Sequence, residues 1–398
     1  MHQHNPTLFI EINESSYIFV AGEYDEDKNL KIIEKIISPN TGIDKNKFVS
    51  IEAASETIKK NVEIIENKLN CIFKDLILII ENFNYSSVSI SGSKKLNGSQ
   101  VVKENISYIL NSLKFIVTET ENQKTILQIF NSKYVLDGVN MENLPIGLFG
   151  NFYNHELTFF LITNNDLKNI NQVFKKSNLE LNKIVLKSFT EGTQLINQDS
   201  IETFFKIKIN KESSNISFFY QSSFRYSENF NFGTDIIFKD IEKICSIDST
   251  VIINFLLNEF NENKKFDDNE FLDKKYFTDK NYRKIRKKLI VDIINARINE
   301  IMDLVFSKNI NLHSFKKNNI KTYIMIKDKL ILDKFQKVIA SFLLQNINID
   351  LNFIDQLATD LSIVNTSNLS IFGWKKEAIP IVNTKKSLIA KIFKSIFG

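Results

Sequence analysis

The sequence of 398 residues is short of glycine and cysteine. It contains 11 glycines, whereas a usual share of about 7% would give roughly 28. Phosphate-binding loops rely on glycine because it lets the backbone approach a ligand closely, so the shortage weighs against a glycine-rich nucleotide-binding motif. The two cysteines, Cys71 and Cys245, lie far apart in sequence, which suits a reducing compartment.

Other signals of specialised chemistry or targeting are also missing. The four histidines show no metal-ligand spacing, so we expect no metal site. No apolar run reaches the roughly 18 residues that a membrane-spanning helix requires, and the first residues lack the pattern of a signal peptide. The net charge of +4, from 51 basic and 47 acidic residues, is too balanced to indicate a nucleic-acid partner. We therefore expect a cytosolic protein with at most peripheral membrane contact.

A pattern of three strands, helices and a further strand occurs twice. Hydrophobic residues make up 43% of the chain, which is ample for globular folding, and the length indicates two or more subdomains. The first copy has strands within 7–37, a helix at 51–71 and a strand at 76–80; the second has strands within 203–232, helices at 236–260 and 281–308, a strand at 321–326 and a helix at 331–345. This duplication predicts two related α/β lobes that face each other.

A different α/β unit is predicted between the two copies, at 85–163. Its elements are strands near 86–92, 114–119, 125–130 and 156–163 and a helix near 101–113. A helix at 165–177 and a strand at 181–187 follow it. We interpret the charged run 261–281 as a solvated loop. We interpret 361–371 and 376–384 as irregular segments.

The stretch KKSLIAKIFKSIFG, 385–398, has the pattern of an amphipathic helix. One face would carry apolar side chains at helical spacing, namely Leu388, Ile389, Ile392, Phe393, Ile396 and Phe397. The lysines of this stretch are Lys385, Lys386, Lys391 and Lys394. Such a helix either packs onto the protein's own core or lies on a membrane surface. Each lysine near anionic lipid adds about 1 kcal/mol, which allows weak and reversible attachment.

The order of these units resembles the FtsA cell-division family over nearly the whole chain. The most specific stretch, 131–163, is similar to the family's inserted subdomain. That match is carried by Tyr134, Asp137, Asn143, Pro145, Gly147, Leu148 and Gly150. The turn Gly42-Ile43-Asp44 also resembles the family's first lobe, and Arg297 resembles a residue of the helix that closes the second lobe.

The resemblance implies an α/β, actin-like fold of two duplicated ribonuclease-H-like lobes. An α/β subdomain is inserted in the first lobe, and an amphipathic helix follows the second. The implied domains are the first lobe at 1–84 and 164–198, the inserted subdomain at 85–163, the second lobe at 199–360, a closing segment and linker at 361–384, and a membrane-targeting helix at 385–398.

Members of this family bind ATP and magnesium between the lobes, but the matching first phosphate loop differs here. The family has an Asp, a Gly and a hydroxyl residue after the first strand. Glu11 would replace the Asp, and Ser15 or Ser16 the hydroxyl residue, with Asn13 beside them. Glu14 adds a carboxylate where polyphosphate would bind.

The second phosphate loop and the adenosine loop differ as well. The family's Asp and three glycines match the run from Lys208 to Asn215, which has no glycine, and its adenosine-side Gly-Gly matches Lys327-Asp328. Ser213 and Gly233 are the remnants of the pocket on this side. Side chains at these positions would fill the space that phosphate or adenine needs. We therefore predict a pseudo-ATPase without catalytic residues, although the resemblance itself implies ATP and magnesium as the cofactor.

The resemblance also implies partners at the cytoplasmic face of the inner membrane, at the division site. The basic stretch around 281–288 would bind the acidic C-terminal tail of the tubulin-like protein FtsZ; the alternative is a solvated helix face. The candidate residues are Arg283, Ile285, Arg286, Lys287 and Leu289. Segment 385–398 would bind anionic lipids, and the inserted subdomain would contact other division proteins or a second copy.

Two other functions remain open from the sequence. One is an ATP-binding actin homologue that polymerises and tolerates unusual loops. The other is a relative of the actin-like adaptors of pilus assembly, which work with an inner-membrane peptide partner. The basic amphipathic stretch at 385–398 favours the division protein over the pilus adaptor.

Overall fold

The computed structural model describes residues 6–81, 83–261, 265–277, 282–316, 319–346, 349–355 and 359–378. The strands are β1 Thr7–Ile12, β2 Ser16–Tyr24, β3 Leu30–Pro39, β4 Ile43–Asp44, β5 Lys47–Phe48, β6 Asp75–Ile80, β7 Tyr85–Lys95, β8 Lys124–Leu136, β9 Val139–Met141, β10 Phe152–Thr163, β11 Glu180–Leu186, β12 Phe204–Ile209, β13 Ser214–Tyr220, β14 Ser223–Phe230, β15 Ile320–Ile326 and β16 Ile349–Phe353. The helices are α1 Ile51–Leu69, α2 Lys103–Thr120, α3 Asn164–Lys176, α4 Lys187–Asp199, α5 Asp235–Cys245, α6 Ser249–Asn258, α7 Lys287–Met302, α8 Lys329–Asn346 and α9 Thr359–Phe372. Short 3-10 helices at Lys274–Tyr276 and Ile310–Leu312 and a π-helical turn at Asp303–Ser307 complete the elements.

Two five-stranded sheets with the same topology form the two lobes. The order is β3-β2-β1-β6-β11 in the first lobe and β14-β13-β12-β15-β16 in the second. In each lobe the first three strands pair antiparallel, and the last two join in parallel. The duplication predicted from the strand pattern is therefore confirmed. Each sheet buries its own apolar core of Ile, Leu, Val and Phe side chains.

The turn before α1 depends on a glycine and on a capping serine. Gly42 has a φ of +70°, and a Cβ there would lie 2.3 Å from the carbonyl oxygen of Ser50. Ser50 begins the helix, because its hydroxyl accepts a hydrogen bond of 3.2 Å from the backbone N–H of Ala53. The helix ends at Asn70, which adopts the left-handed conformation with φ of 49°.

The inserted subdomain is an antiparallel sheet, β7-β10-β8-β9, covered by α2. The strand predicted at 114–119 is wrong, because α2 continues to Thr120. Leu110, Leu113 and Val117 recur at helical spacing and are buried against the sheet. The exposed Phe115 and Ile116 lie between them and give the run the appearance of a strand.

The segment after the second lobe is not irregular as predicted, because α9 covers 361–371. Its buried face mixes four polar residues, Ser362, Asn365, Thr366 and Ser367, with the apolar Ile363 and Leu369, which weakens the apolar periodicity by which a helix is recognised. Asn365 donates a hydrogen bond of 2.7 Å to the carbonyl oxygen of Thr190, and the hydroxyls of Thr366 and Thr190 are 3.2 Å apart. Helix α9 therefore packs on α4 through amide and hydroxyl groups.

Candidate functional site

The candidate site lies where the parallel strands of both lobes end. In the first lobe Ile12, Ile80 and Leu186 are neighbours in register on β1, β6 and β11. Glu81 and Lys187 immediately follow two of these strands, so both side chains reach the same edge of the sheet. In the second lobe Lys206 and Lys208 alternate along β12 and therefore share one face.

Three carboxylates and three ammonium groups form one buried ion network between the lobes. Lys187 lies 2.5 Å from Glu11 and 3.3 Å from Glu81. Glu81 also pairs with Lys208, which belongs to the second lobe. Glu191 on α4 pairs with Lys206 and lies 2.7 Å from Lys208. All six side chains are at least nine-tenths buried, so the charges compensate one another rather than being hydrated.

The pKa values of these groups follow from burial and from their partners. Burial by itself raises the pKa of Glu81 and Glu191, but the neighbouring lysines outweigh it, so the pKa of Glu81 lies far below its usual range and that of Glu191 lies at about 2. Burial likewise lowers the pKa of Lys187 and Lys208, and the adjacent carboxylates raise both above the usual value. At Lys206 burial dominates and lowers the pKa.

The turn between β12 and β13 binds the carboxylate of Glu14. One oxygen of Glu14 accepts a hydrogen bond of 2.7 Å from the backbone N–H of Glu212 and one of 2.9 Å from the hydroxyl of Ser213. Its other oxygen accepts one of 3.2 Å from the backbone N–H of Lys211. Convergent backbone N–H groups are a typical anion-binding arrangement, and here the anion comes from the protein itself.

The predicted remnants of a nucleotide pocket come together at this cleft, with internal partners. Asn13 closes its own turn, because its side-chain oxygen accepts hydrogen bonds from the backbone N–H of Ser15 and Ser16 and from the hydroxyl of Ser16. Glu11 pairs with Lys187, as described above. Ser213 binds Glu14. Gly233 packs so closely that a Cβ would lie 2.3 Å from the carbonyl oxygen of Asn210.

A cavity of about 500 Å³ remains at the mouth of the cleft. Its lining carries four carboxylates, Glu14, Asp44, Glu212 and Asp235, and two lysines, Lys45 and Lys239. Among the described residues no group of three or more His, Cys, Asp or Glu side chains is arranged to hold a metal ion. A polyphosphate at this mouth would therefore meet four carboxylates against two lysines.

The loop that matches the family's adenosine loop, Lys327-Asp328, makes hydrogen bonds within the second lobe. The backbone N–H of Lys327 donates a hydrogen bond of 2.9 Å to the carbonyl oxygen of Ile209, and this bond continues the sheet. The carboxylate of Asp328 accepts a hydrogen bond of 3.1 Å from the backbone N–H of Ile331. The Asp328 carboxylate thus caps the first turn of α8.

Four residues of the network, Glu81, Lys187, Glu191 and Lys206, were not predicted as site residues from the sequence. Two signals are present in the sequence. Glu81 and Lys187 directly follow apolar strands that end at the cleft, and lysines alternate with apolar residues in FFKIKI. Such alternation usually indicates a solvated strand face, and here the opposing lobe covers that face instead.

The predicted FtsZ-binding residues divide into exposed and buried ones. Arg283, Arg286 and Leu289 are exposed. Ile285 is buried in the core of the second lobe, and Lys287 is buried and pairs with Glu259. The helix predicted over 281–308 begins only at Lys287, because Arg286 before it forms an antiparallel bridge to Phe271. The surface available to a partner is therefore basic, with Leu289 as an apolar contact.

The family motif of the inserted subdomain stabilises a turn. The carboxylate of Asp137 accepts hydrogen bonds from the backbone N–H of Asn151 and from that of Phe152, the latter at 2.7 Å. The turn and its neighbours expose apolar side chains, namely Val139, Ile146, Leu148, Phe149 and Phe152. This surface is available to a partner protein.

The predicted membrane-binding residues of 385–398 all lie outside the described residues. Among the described residues no helix is long and apolar enough to cross a membrane.

Comparisons with known proteins were made for sequence and for structure. No protein-family model matches the chain. The cell division protein FtsA of Buchnera aphidicola subsp. Schizaphis graminum is 21% identical over 298 residues, which are 74% of this chain and 71% of that protein. FtsA of Borreliella burgdorferi is 19% identical over 321 residues, which are 79% of this chain and 77% of that protein. A solved PilM-PilN type IV pilus biogenesis complex covers 93% of this chain and 97% of its own, with a TM-score of 0.54 and 11% identity.

These similarities identify a divergent FtsA-like protein. The two-lobe topology and the match to the solved structure confirm the actin-like fold predicted from the sequence. The likeness to the pilus protein concerns the fold alone.

Proposed function

We propose that this divergent FtsA-like protein acts in cell division by attaching FtsZ to the inner membrane, and that it does so without hydrolysing ATP. The proposal that ATP is not hydrolysed rests on one observation: Glu14 and the ion network occupy the cleft between the lobes. A phosphate group at the turn from Lys211 to Ser213 would have to displace the Glu14 carboxylate from three hydrogen bonds. It would also approach the buried carboxylate of Glu81.

Calorimetry with magnesium and ATP tests the pseudo-ATPase directly. We expect no saturable binding up to millimolar ATP and no phosphate release above the spontaneous rate. Micromolar binding would contradict this half of the proposal and would favour the polymerising actin homologue. FtsZ binding and lipid binding are measured in separate experiments. Micromolar ATP binding would therefore not contradict the proposed attachment of FtsZ to the membrane.

Membrane attachment is proposed to rest on the apolar side chains of 385–398. Phe393→Glu places a charge on the apolar face and should release the full-length protein from vesicles that contain anionic lipid. Ser395→Glu adds the same charge on the polar face, so it is the matched control and should weaken binding less. Equal binding of both variants and of the unchanged protein would contradict this role.

FtsZ binding is proposed to rest on the exposed basic surface at Arg283 and Arg286. The double reversal Arg283→Glu/Arg286→Glu should reduce affinity for a peptide of the acidic FtsZ tail at least tenfold, and more so at low salt. The double reversal Lys59→Glu/Lys60→Glu on α1 changes the net charge equally and is the control. Equal loss in both variants would mean that only overall charge matters.

A further inference from the structure

The two lobes contribute charges of opposite sign to the buried ion network. The groups from the first lobe are three carboxylates and one ammonium group, namely those of Glu11, Glu81, Glu191 and Lys187. The second lobe contributes the ammonium groups of Lys206 and Lys208. The first lobe's part of the network therefore has two surplus negative charges, and the second lobe's part has two surplus positive charges.

The ion pairs that cross from one lobe to the other involve four residues, here called the latch: Glu81, Glu191, Lys206 and Lys208. Glu81 follows β6 and pairs with Lys208 on β12. Glu191 on α4 pairs with Lys206 and lies 2.7 Å from Lys208. The latch side chains are 8% exposed or less, so each lobe's charges can leave water only when the other lobe supplies the opposite charge.

Apolar side chains join the lobes at the beginning of β12. Phe204 belongs to the apolar cluster of the first lobe, and its ring stacks on that of Phe219 with centroids 5.0 Å apart. Phe219 also packs closely on α4, where a Cβ at Gly192 would lie 2.1 Å from its ring. The rings of Phe189 and Phe224 make a further contact between the lobes, with centroids 5.8 Å apart. Apolar burial holds this end of the interface together.

The latch lies between these apolar contacts and the cleft mouth. Phe204, Lys206 and Lys208 alternate along β12 and share the face that meets the first lobe. At about 3.3 Å per residue, the two lysines lie roughly 7 and 13 Å from Phe204, and the turn that begins at Lys211 lies roughly 23 Å from it. A rotation about the apolar contacts would therefore separate the latch pairs and widen the mouth.

We propose that the latch holds the two lobes closed on each other when the cleft contains no ligand. Opening the cleft separates surplus charges of opposite sign. Closing it with one of the charges removed buries another charge without its partner, which is strongly unfavourable. The closed state therefore depends on a charge balance that the chain itself provides. This inference does not rest on the proposed attachment to FtsZ or to the membrane.

The distance across the cleft mouth tests the latch. Spin labels are attached to the full-length protein at Lys47→Cys in the first lobe and Lys239→Cys in the second, in a Cys71→Ser/Cys245→Ala background. Both lysines are exposed, and pulsed electron spin resonance measures the separation of the labels. With the latch intact we expect one narrow distribution of separations in the absence of any ligand.

Glu81→Gln should open the cleft without leaving any lysine of the network without a carboxylate. Lys187 keeps Glu11, and Lys208 keeps Glu191, but the second lobe gains an uncompensated positive charge. We expect the mean separation to increase by about 6 Å, which is the displacement that a rigid-body rotation of about 15° produces at about 23 Å from the apolar contacts. Lys208→Met leaves the surplus charge on the first lobe and should also widen the mouth.

Glu81→Gln/Lys208→Met is the matched variant that restores the balance. Its network consists of two complete pairs, Lys187 with Glu11 and Lys206 with Glu191, so the separation should return to that of the unchanged protein. Glu52→Gln breaks an exposed ion pair within the first lobe and should leave the separation unchanged.

Circular dichroism shows whether each variant folds. A single variant that unfolds while the double variant folds also supports the charge balance. An unchanged separation in both Glu81→Gln and Lys208→Met would overturn the inference. A double variant that is as wide as the single variants, or no better folded than they are, would overturn it as well.

Discussion

Glu14 and Ser213 lie 199 positions apart in the chain, and the hydroxyl of Ser213 donates a hydrogen bond of 2.9 Å to the carboxylate of Glu14. The two residues occupy the first hairpin turn of the first and of the second lobe. The hairpins that begin the two copies of the repeat are therefore bound to each other across the cleft. Asn46 and Asn231 make a second hydrogen bond at the cleft mouth, of 3.2 Å.

Removing the Glu14 carboxylate should release the turn between β12 and β13. In Glu14→Ala the backbone N–H groups of Lys211 and Glu212 lose their acceptor, so their hydrogen exchange should accelerate at least tenfold. Exchange measured by NMR or mass spectrometry checks this. Glu26→Ala, at an exposed glutamate in the turn between β2 and β3, should leave these rates unchanged. Unchanged exchange in Glu14→Ala would mean that the turn holds its geometry without the anion.

Breaking the buried ion network should be strongly destabilising. Glu191→Gln leaves Lys206 without its paired carboxylate in a site that water does not reach, so we expect the free energy of unfolding to fall by roughly 3–5 kcal/mol. Urea unfolding at neutral pH measures it. Glu52→Gln breaks an exposed pair with Lys176 and should change stability by less than about 1 kcal/mol. A similar small loss for Glu191→Gln would indicate that water enters the network.

Acid should destabilise the inserted subdomain through His155. Its ring nitrogen Nε2 lies 2.9 Å from the side-chain oxygen of Asn131, and burial lowers its pKa to about 4. An unfolded histidine titrates near 6.5, so between pH 6.5 and 4 the unfolded state binds the extra proton. This contribution to stability is complete above about pH 6.5 and is lost as the pH falls towards 4.

His155→Gln tests that contribution, since glutamine keeps a donor for Asn131 and does not titrate. Between pH 7 and pH 5 the loss in free energy of unfolding should be smaller by about 2 kcal/mol in the variant. Urea unfolding at the two pH values gives the comparison. His313→Gln, at an exposed position, is the control. An identical pH dependence in His155→Gln would show that the buried ring is protonated without penalty.

Gly192 allows α4 and β13 to approach each other. A Cβ at this position would lie 2.1 Å from the ring of Phe219. Gly192→Ala should therefore lower the free energy of unfolding by about 1–3 kcal/mol, although alanine is the better helix former. Thermal and urea unfolding measure the change. Adding Phe219→Leu should recover part of the loss relative to Phe219→Leu alone, and additive losses would contradict the proposed clash.

Much of the fold could be predicted from residue periodicity. The alternation in β1 and β12, the apolar run in β6 and the repeat of three strands led to two related lobes, because the spacing of apolar residues is a local property of the chain. The exceptions have local causes too. Phe115 and Ile116 give part of α2 the pattern of a strand, and the buried face of α9 carries more Ser, Thr and Asn residues than apolar ones, so neither helix was predicted correctly.

The candidate site was predictable only in part. Three features could be identified directly in the sequence, because each is a property of one short segment: the missing glycines, the carboxylate of Glu14 and the altered loops. The residues that pair with them could not be predicted from the sequence. Lys206 has the pattern of a solvated residue in the sequence, and it is buried because helix α4 of the first lobe, which carries Glu191, packs against it.

By itself, the sequence determined the two sheets, their duplication and the absence of a glycine-rich phosphate loop. Only the tertiary structure decided that Glu14 binds the facing turn, that three lysines and three glutamates compensate one another, and that Trp374–Ala378 contacts both lobes and the inserted subdomain. The physical reason is distance along the chain. Local patterns set which face of an element is apolar, whereas the pairs of Lys187 with Glu11 and Glu81 and of Lys208 with Glu81, each more than a hundred residues apart, depend on how distant elements pack.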